Sequence, residues 1–343
     1  MLRYNISNED YLHPLTHCTL CEHSCGVNRL EGQTGICRIT VPVVASATLH
    51  PAPPESYTIF MAGCNYKCLN CQNWTIAQLP DNGYQPRGFV PVKELARECV
   101  SQLNSPAAKL MGAGRIFFSG GEPTIHLPYI EQVVTEARKL SPDLKVNFDT
   151  NGYLTSASLR KVLKFTTSIT YDIKAYNDEV HLALTGASSQ PVLRNAKYIG
   201  RFAKDKLWEY RILVIPKINE EEIEPLCCFI SDIDADLPVC FLAFRPNYAL
   251  EHHPGAAAEL MGCCVNIAQK SGLKNAYWSG QTGILGLISA PQKKVVSAYK
   301  MAGGRLAGTY AYAAGCRTHA RNCAACSYHQ ACPVKRYVPQ IQT

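Results

Sequence analysis

A chain of 343 residues with 47% hydrophobic and 18% charged residues is long enough to bury a large core and has the balance of an ordinary globular protein. Its formal charge of +7, from 34 basic and 27 acidic residues, is mild and spread along the chain, which argues against a nucleic-acid partner. No apolar run reaches the roughly 18 residues of a membrane span, and the start Met1-Leu2-Arg3-Tyr4-Asn5 does not read as an export signal.

In chain order, the first element is a cysteine block. Cys18, Cys21, Cys25 and Cys37 are interrupted by Gly26, Gly32 and Gly35, which suit tight turns around a metal. Four thiolates close a site, and zinc and an iron-sulfur cluster fit them equally well. Pro51-Ala52-Pro53-Pro54 reads as a linker out of this block. Apolar strands then alternate with amphipathic helices, the pattern of β/α units. Helical spacing is expected over 90–103, 127–140 and 156–165, and short strands at 117–118, 146–148, 169–173, 210–214 and 239–244. The alternation breaks after His252-His253, a pair that reads as solvated rather than ligating. A last block follows, Cys316, Cys323, Cys326 and Cys332, again enough thiolates to close a site around an additional iron-sulfur cluster, a single iron or zinc. The expected division is 1–55, 56–250 and 251–343. Six further cysteines, Cys99, Cys227, Cys228, Cys240, Cys263 and Cys264, read as small core residues. Short cysteine spacings without an export signal point to metal ligation in a reducing cytoplasm.

The most informative stretch is Cys64-Asn65-Tyr66-Lys67-Cys68-Leu69-Asn70-Cys71. Three thiolates at this spacing reach three irons of one [4Fe-4S] cube and leave the fourth open, whereas a closed structural site takes four. Spacing alone also admits a partial zinc knuckle or three buried thiols. Phe117-Phe118-Ser119-Gly120-Gly121-Glu122-Pro123 has the form of an apolar strand ending in a glycine turn. Its glycines let the backbone approach a ligand, and Glu122 offers an acceptor for an ammonium group. Two more strands end in polar residues, Asp149-Thr150-Asn151-Gly152 and Asp172-Ile173-Lys174, where parallel barrels keep their chemistry.

The cysteine loop, with the Gly-Gly-Glu-Pro turn one β/α unit later, resembles the signature of radical S-adenosylmethionine (radical SAM) enzymes. Residues 171–216, with Asp-Ile-Lys, Asn-Asp-Glu-Val-His and Tyr-Arg-Ile-Leu-Val-Ile-Pro, are similar to the pyruvate formate-lyase activating enzymes, and the likeness covers roughly 56–250. It implies an α/β fold, a partial (β/α)6 radical SAM barrel with cysteine-rich N-terminal and C-terminal metal-binding extensions. Cys64, Cys68 and Cys71 are implied to bind the catalytic [4Fe-4S] cluster, whose open iron takes S-adenosylmethionine. Gly120, Gly121 and Glu122 are implied to face its amino group. Asp149, Thr150, Asp172 and Lys174 would surround its carboxylate beside a monovalent cation. Tyr66 or Asn70 would pack near the adenine. Arg211 is a candidate carboxylate partner, and Asn247 stands where activating enzymes carry a histidine.

The implied enzyme acts on a protein or peptide, takes electrons from a ferredoxin or flavodoxin, and is a monomer. Cys323-x2-Cys326-x5-Cys332 resembles part of the extensions of peptide-modifying radical SAM enzymes. That favours modification of a protein residue. The specific expectation is cobalamin-dependent C-methylation of a glutamine of methyl-coenzyme M reductase in an anaerobic methanogen, although no Asp-x-His-x-x-Gly cobalamin motif is present. Activation of a glycyl-radical enzyme is the runner-up, and a non-catalytic iron-sulfur scaffold the third reading.

Overall fold

In a computed structural model of the chain, the structure describes residues 9–78, 84–282, 301–318 and 323–340. The class is α/β. Eight strands, β1 (Val44–His50), β2 (Ser56–Met61), β3 (Arg115–Gly120), β4 (Lys145–Thr150), β5 (Ser168–Asp172), β6 (Leu207–Val214), β7 (Val239–Ala243) and β8 (Ala276–Ser279), follow chain order in the sheet. The helices are α1 (Trp74–Ala77), α2 (Val92–Leu103), α3 (Pro106–Met111), α4 (Leu127–Leu140), α5 (Ser156–Phe165), α6 (Asp178–Thr185), α7 (Gln190–Phe202), α8 (Ile223–Ser231), α9 (Ala258–Lys270) and α10 (Gly303–Ala313). The chain divides into two compact units, Met1–Asn65 with Thr75–Ile169 and Tyr66–Trp74 with Thr170–Thr343.

In the first unit β1 runs antiparallel to β2, and β2, β3 and β4 are parallel. Ile116, Phe117 and Phe118 are consecutive and all buried, as a parallel strand covered on both faces requires. α4 presents Leu127, Ile130, Val134 and Ala137 to the core at helical spacing. α5 starts where the Thr155 hydroxyl accepts from the Ser158 N–H, a cap of about 1 kcal/mol. Pro51–Pro54 turns out to join β1 to β2, with His50 paired to Ser56, so it is a hairpin connection and not a linker between domains. The first cysteine block docks within this unit. Cys21 bridges Leu154, the Thr155 N–H donates to the Leu20 carbonyl, and buried Arg29 donates to the carbonyls of Thr40 and Ile125.

In the second unit β6, β7 and β8 are parallel. The buried carboxylate of Glu222 accepts from the N–H groups of Tyr176 and Asn177 ahead of α6, which ends at Gly186 in the left-handed conformation. α10 packs its backbone on the turn after β6, where a Cβ on Gly303 would lie 1.8 Å from the Ile218 carbonyl oxygen. His253 corrects the expectation of a solvated pair, being 1% exposed between the Tyr310 hydroxyl and the Pro216 carbonyl. Two of the six supposed core cysteines, Cys228 and Cys263, are exposed, while Cys99, Cys227, Cys240 and Cys264 are buried. Adjacent helical residues point about 100° apart, so each Cys-Cys pair can turn only one thiol inward. Among the described residues no helix is long and apolar enough to cross a membrane.

Two buried histidines make the second unit acid-sensitive. Burial pushes His181 and His253 down to about 4, and each donates one ring N–H to a carbonyl in its neutral form. The unfolded chain protonates them near pH 6.5, so their stability contribution is full above that pH and is lost as pH falls toward 4. The expected loss is on the order of 3 kcal/mol per histidine. Urea midpoints at pH 7 and pH 4.5 measure it, and a slope that His253→Phe leaves unchanged would exclude His253 as a source.

Candidate functional site

Cys64 and Asn65 end the first unit's share of the cysteine loop, and both are buried. The Asn151 side-chain amide donates to Asn65 Oδ1 at 2.7 Å and lies 3.9 Å from Cys64 Sγ. From the other side, His23 Nε2 donates to the Asn65 carbonyl at 2.9 Å and its ring tilts onto Tyr153. The residue after Cys64 is therefore held both by the turn after β4 and by the N-terminal cysteine block.

The Gly-Gly-Glu turn packs against the backbone just ahead of Cys64. A Cβ on Gly120 (φ +109°) would lie 2.4 Å from the Met61 carbonyl oxygen, and one on Gly121 would lie 1.9 Å from that of Gly63. The Gly121 and Glu122 N–H groups donate to the Met61 and Gly63 carbonyls. The close approach that two glycines allow is thus made to the chain's own backbone. Glu122 is buried, with Oε1 accepting from the Thr124 N–H and the Thr150 hydroxyl and Oε2 from the Asn151 N–H. Burial raises its pKa to about 7 against the hydrogen bonds from Asn151, Thr124 and Thr150. Asp149 Oδ2 accepts from the Ser119 hydroxyl at 2.7 Å.

The four thiols of the first block are near neighbours. Burial pushes the Cys21 thiol up, and Cys37, Cys25 and Cys18 push it further in that order after allowance for one opposing backbone contact. Arg29 Nη1 lies 3.9 Å from Cys18 Sγ, and a Cβ on Gly35 would meet Cys25 Sγ at 2.6 Å. Among the described residues, however, no three His, Cys, Asp or Glu side chains are arranged as a ready metal shell. Mutual repulsion of neighbouring thiolates is relieved only by protons or by a metal.

In the second unit, the Lys67 and Leu69 N–H groups donate to the Thr185 and Leu184 carbonyls and tie the loop to the end of α6. Tyr66 is buried edge-on to His181, a core contact, and Asn70 is buried beside it in the loop. Burial pushes Cys68 up to about 12, Lys174 pulls it down, and Cys71 and Asp172 push it up, so this thiol adjoins the Asp172–Lys174 ion pair of 2.7 Å. Arg211 grips Glu209 Oε1 through Nε at 3.0 Å and Nη2 at 2.7 Å, and the Tyr277 hydroxyl donates to the other oxygen. Cys240 is pushed up by burial first, then feels Glu209, Arg211, Tyr277 and Asp172, and the Ile173 N–H donates to the Arg211 carbonyl, so the two ion pairs sit on neighbouring stretches of chain. Asn247 is half-buried ahead of Tyr248, whose ring stacks on Trp74 at 5.7 Å.

Glu209 escaped the sequence reading, although it alternates with Arg211 along β6. Asn219 escaped it too. Its buried side chain accepts from the Ile215 N–H and donates to the carbonyls of Lys174 and Leu213, clamping the ends of β5 and β6. Asn219→Ala leaves these groups unpaired, and a loss of about 3 kcal/mol is expected in denaturant titrations. A loss below about 1 kcal/mol would show the clamp to be dispensable.

The last block converges on a cavity of about 240 Å³ lined by Cys316, Cys323, Cys326 and Cys332 together with Lys67, Thr318 and Tyr328.

The family model described as the radical SAM superfamily matches residues 58–230. An uncharacterized protein of Methanocaldococcus jannaschii is 30% identical over 247 residues, 69% of this chain and 69% of that protein. A pyruvate formate-lyase-activating enzyme of Staphylococcus epidermidis is 28% identical over 193 residues, 53% of this chain and 71% of that enzyme. Among solved structures, SuiB of Streptococcus suis bound to S-adenosylmethionine is similar with a TM-score of 0.47 and 17% identity, covering 64% of this chain and 48% of SuiB.

Proposed function

The chain belongs to the radical SAM superfamily, and from that premise we propose that Cys64, Cys68 and Cys71 hold a [4Fe-4S] cluster at which S-adenosylmethionine is cleaved to attack a protein or peptide. The donor set fits such a cluster, since three soft thiolates on one short loop leave one iron open. When bound, the cluster supplies the electron that splits S-adenosylmethionine into methionine and a 5'-deoxyadenosyl radical.

The observation that carries this reading is the Asp172–Lys174 ion pair beside Cys68, with the Glu209–Arg211 pair on the neighbouring strand. The methionine end of S-adenosylmethionine is a zwitterion with a neighbouring sulfonium. Asp172–Lys174 and Glu209–Arg211 offer both signs of charge, so Lys174 or Arg211 takes the carboxylate and Asp172 or Glu209 the cationic groups. A monovalent cation beside Asp172 would relieve the repulsion between its carboxylate and that of the substrate. Gly120, Gly121, Glu122, Asp149 and Thr150 form the amino-group side of the proposal, with the Glu122 carboxylate fixed by Thr124, Thr150 and Asn151. Tyr66, Asn70 and Asn247 remain proposed adenosine contacts.

Relatives named as pyruvate formate-lyase-activating enzymes support hydrogen abstraction from a protein. None of the seventeen cysteines is joined in a disulfide, and the reading places the protein in a reducing cytoplasm with ferredoxin or flavodoxin as donor. The experiment is anaerobic reconstitution with iron and sulfide, reduction, and measurement of 5'-deoxyadenosine. Its formation is expected, and none at any cluster loading overturns the reading. With a protein substrate, a glycyl-radical doublet in electron paramagnetic resonance identifies an activase. A +14 Da product together with a cobalamin absorbance identifies the C-methylation expected at the finer level.

A further inference from the structure

Tyr248 holds a backbone conformation that its side chain does not favour. Its φ is +52°, in the left-handed region, where a bulky residue is an outlier. Such a residue persists only where its surroundings fix it, and here they do. The ring is fully buried and stacks on the Trp74 indole at 5.7 Å with the planes 18° apart. The Tyr337 ring meets it edge-on at 5.6 Å. The Tyr248 hydroxyl donates to the Val334 carbonyl, which also accepts from the Tyr337 N–H. The Tyr337 hydroxyl in turn donates to buried Glu251, three residues after Tyr248. The ring is therefore clamped between Trp74 and the C-terminal turn Val334–Arg336.

Its place in the second unit gives this clamp a use. Trp74 follows Cys71 by three residues, so the stack stands at the end of the cysteine loop. Tyr248 is pushed up by burial first and then by Cys71, Cys332, Tyr337 and Cys68 in that order, so two loop thiols and one thiol of the last block are its near neighbours. Cys68 and Cys71 are themselves only half-buried, and what covers them decides whether water reaches them. A glycine would take this φ without strain but would leave that side of the loop uncovered. An aromatic ring brings a large apolar surface without charge.

We propose that Tyr248, backed by Trp74, is a positioning residue whose ring forms a dry wall over Cys68 and Cys71, held shut by the C-terminal turn. This rests on the reading of the loop as the S-adenosylmethionine-cleaving site. Reduction adds charge to an anionic cluster, and water stabilises the more highly charged form. A dry wall therefore keeps the reduced cluster a strong electron donor, as the cleavage of a sulfonium requires.

The test uses the full-length protein reconstituted anaerobically, with the loop cluster read as the difference from a Cys64→Ala/Cys68→Ala/Cys71→Ala background. Tyr248→Gly removes the ring and relieves the backbone at the same position. Its loop cluster should show a less negative midpoint potential in an electron paramagnetic resonance titration and should lose iron to a chelator about tenfold faster. Tyr248→Phe keeps the ring and should match the unmutated protein in both readings. If Tyr248→Gly does not fold, judged by its urea midpoint, Trp74→Leu thins the wall from its half-buried side and should move both readings in the same direction. An unchanged potential and chelation rate in whichever of these two variants is read, or a Tyr248→Phe shift as large as theirs, would overturn the proposal. Failure of the loop reading shows separately, as an unmutated protein that holds no more iron than the triple-cysteine background.

Discussion

Replacing Cys64, Cys68 or Cys71 by alanine is expected to reduce formation of 5'-deoxyadenosine to the background of cluster-free protein. Each thiolate would hold a different iron, so no neighbour in the loop can take over its role. Cys68 has the sharpest environment, half-buried beside Asp172 and Lys174. A cluster missing that ligand loses its fixed distance from the charges proposed to hold the substrate. Loss should be at least a thousandfold for each variant, about 4 kcal/mol of lost transition-state stabilisation. Metal in the outer blocks should stay within error, because Cys18, Cys21, Cys25 and Cys37 have their own backbone supports and the last block lines its own cavity. Turnover retained by any one of the three variants removes that cysteine from the catalytic set.

The elements that were legible in the sequence are those with strong apolar patterns. β3 to β7, α4 and α5 fall where hydrophobic runs and helical spacing put them. β8 was not legible, since all but its first residue are exposed and it has no alternation to read. β1 and β2 were hidden by the prolines between them, which locally read as a break although the strands pair in register across it. The site shows the same division. Cysteine spacing and the Asp-Ile-Lys strand end are local signals, and both led to residues that meet, Cys68 with Asp172 and Lys174. Arg211 was found but Glu209 was not, although it lies two residues away on the same strand; the Tyr277 contact that completes the group depends on strand register and was out of reach. Asn219 and Asn151 act through buried amides that join separate strands, and an asparagine in a turn carries no sign of that in the sequence.

Gly121→Ala is expected to unfold much of the first unit although it adds only one methyl group. The new Cβ would lie 1.9 Å from the Gly63 carbonyl oxygen, 2.7 Å from its carbon and 3.2 Å from the Ala77 Cα. These are backbone atoms and cannot rotate away. Gly63 is itself fixed, donating to the Ile76 carbonyl at 2.8 Å and accepting from the Glu122 N–H at 3.0 Å. Relief therefore requires breaking the contact between the Gly-Gly-Glu turn and the end of β2. That releases the Glu122 carboxylate from Thr150 and Asn151, and with Asn151 goes the support of Asn65 beside Cys64. A loss of more than about 3 kcal/mol is expected, a large share of the stability of an ordinary domain. Gly262→Ala is the comparison, since nothing lies within 4 Å of a Cβ there and the helix α9 should gain about 0.5 to 1 kcal/mol. Denaturant titration of both variants decides the matter. If Gly121→Ala costs less than about 1 kcal/mol, the turn is not held by this backbone contact, and its second glycine would then have to serve a ligand instead.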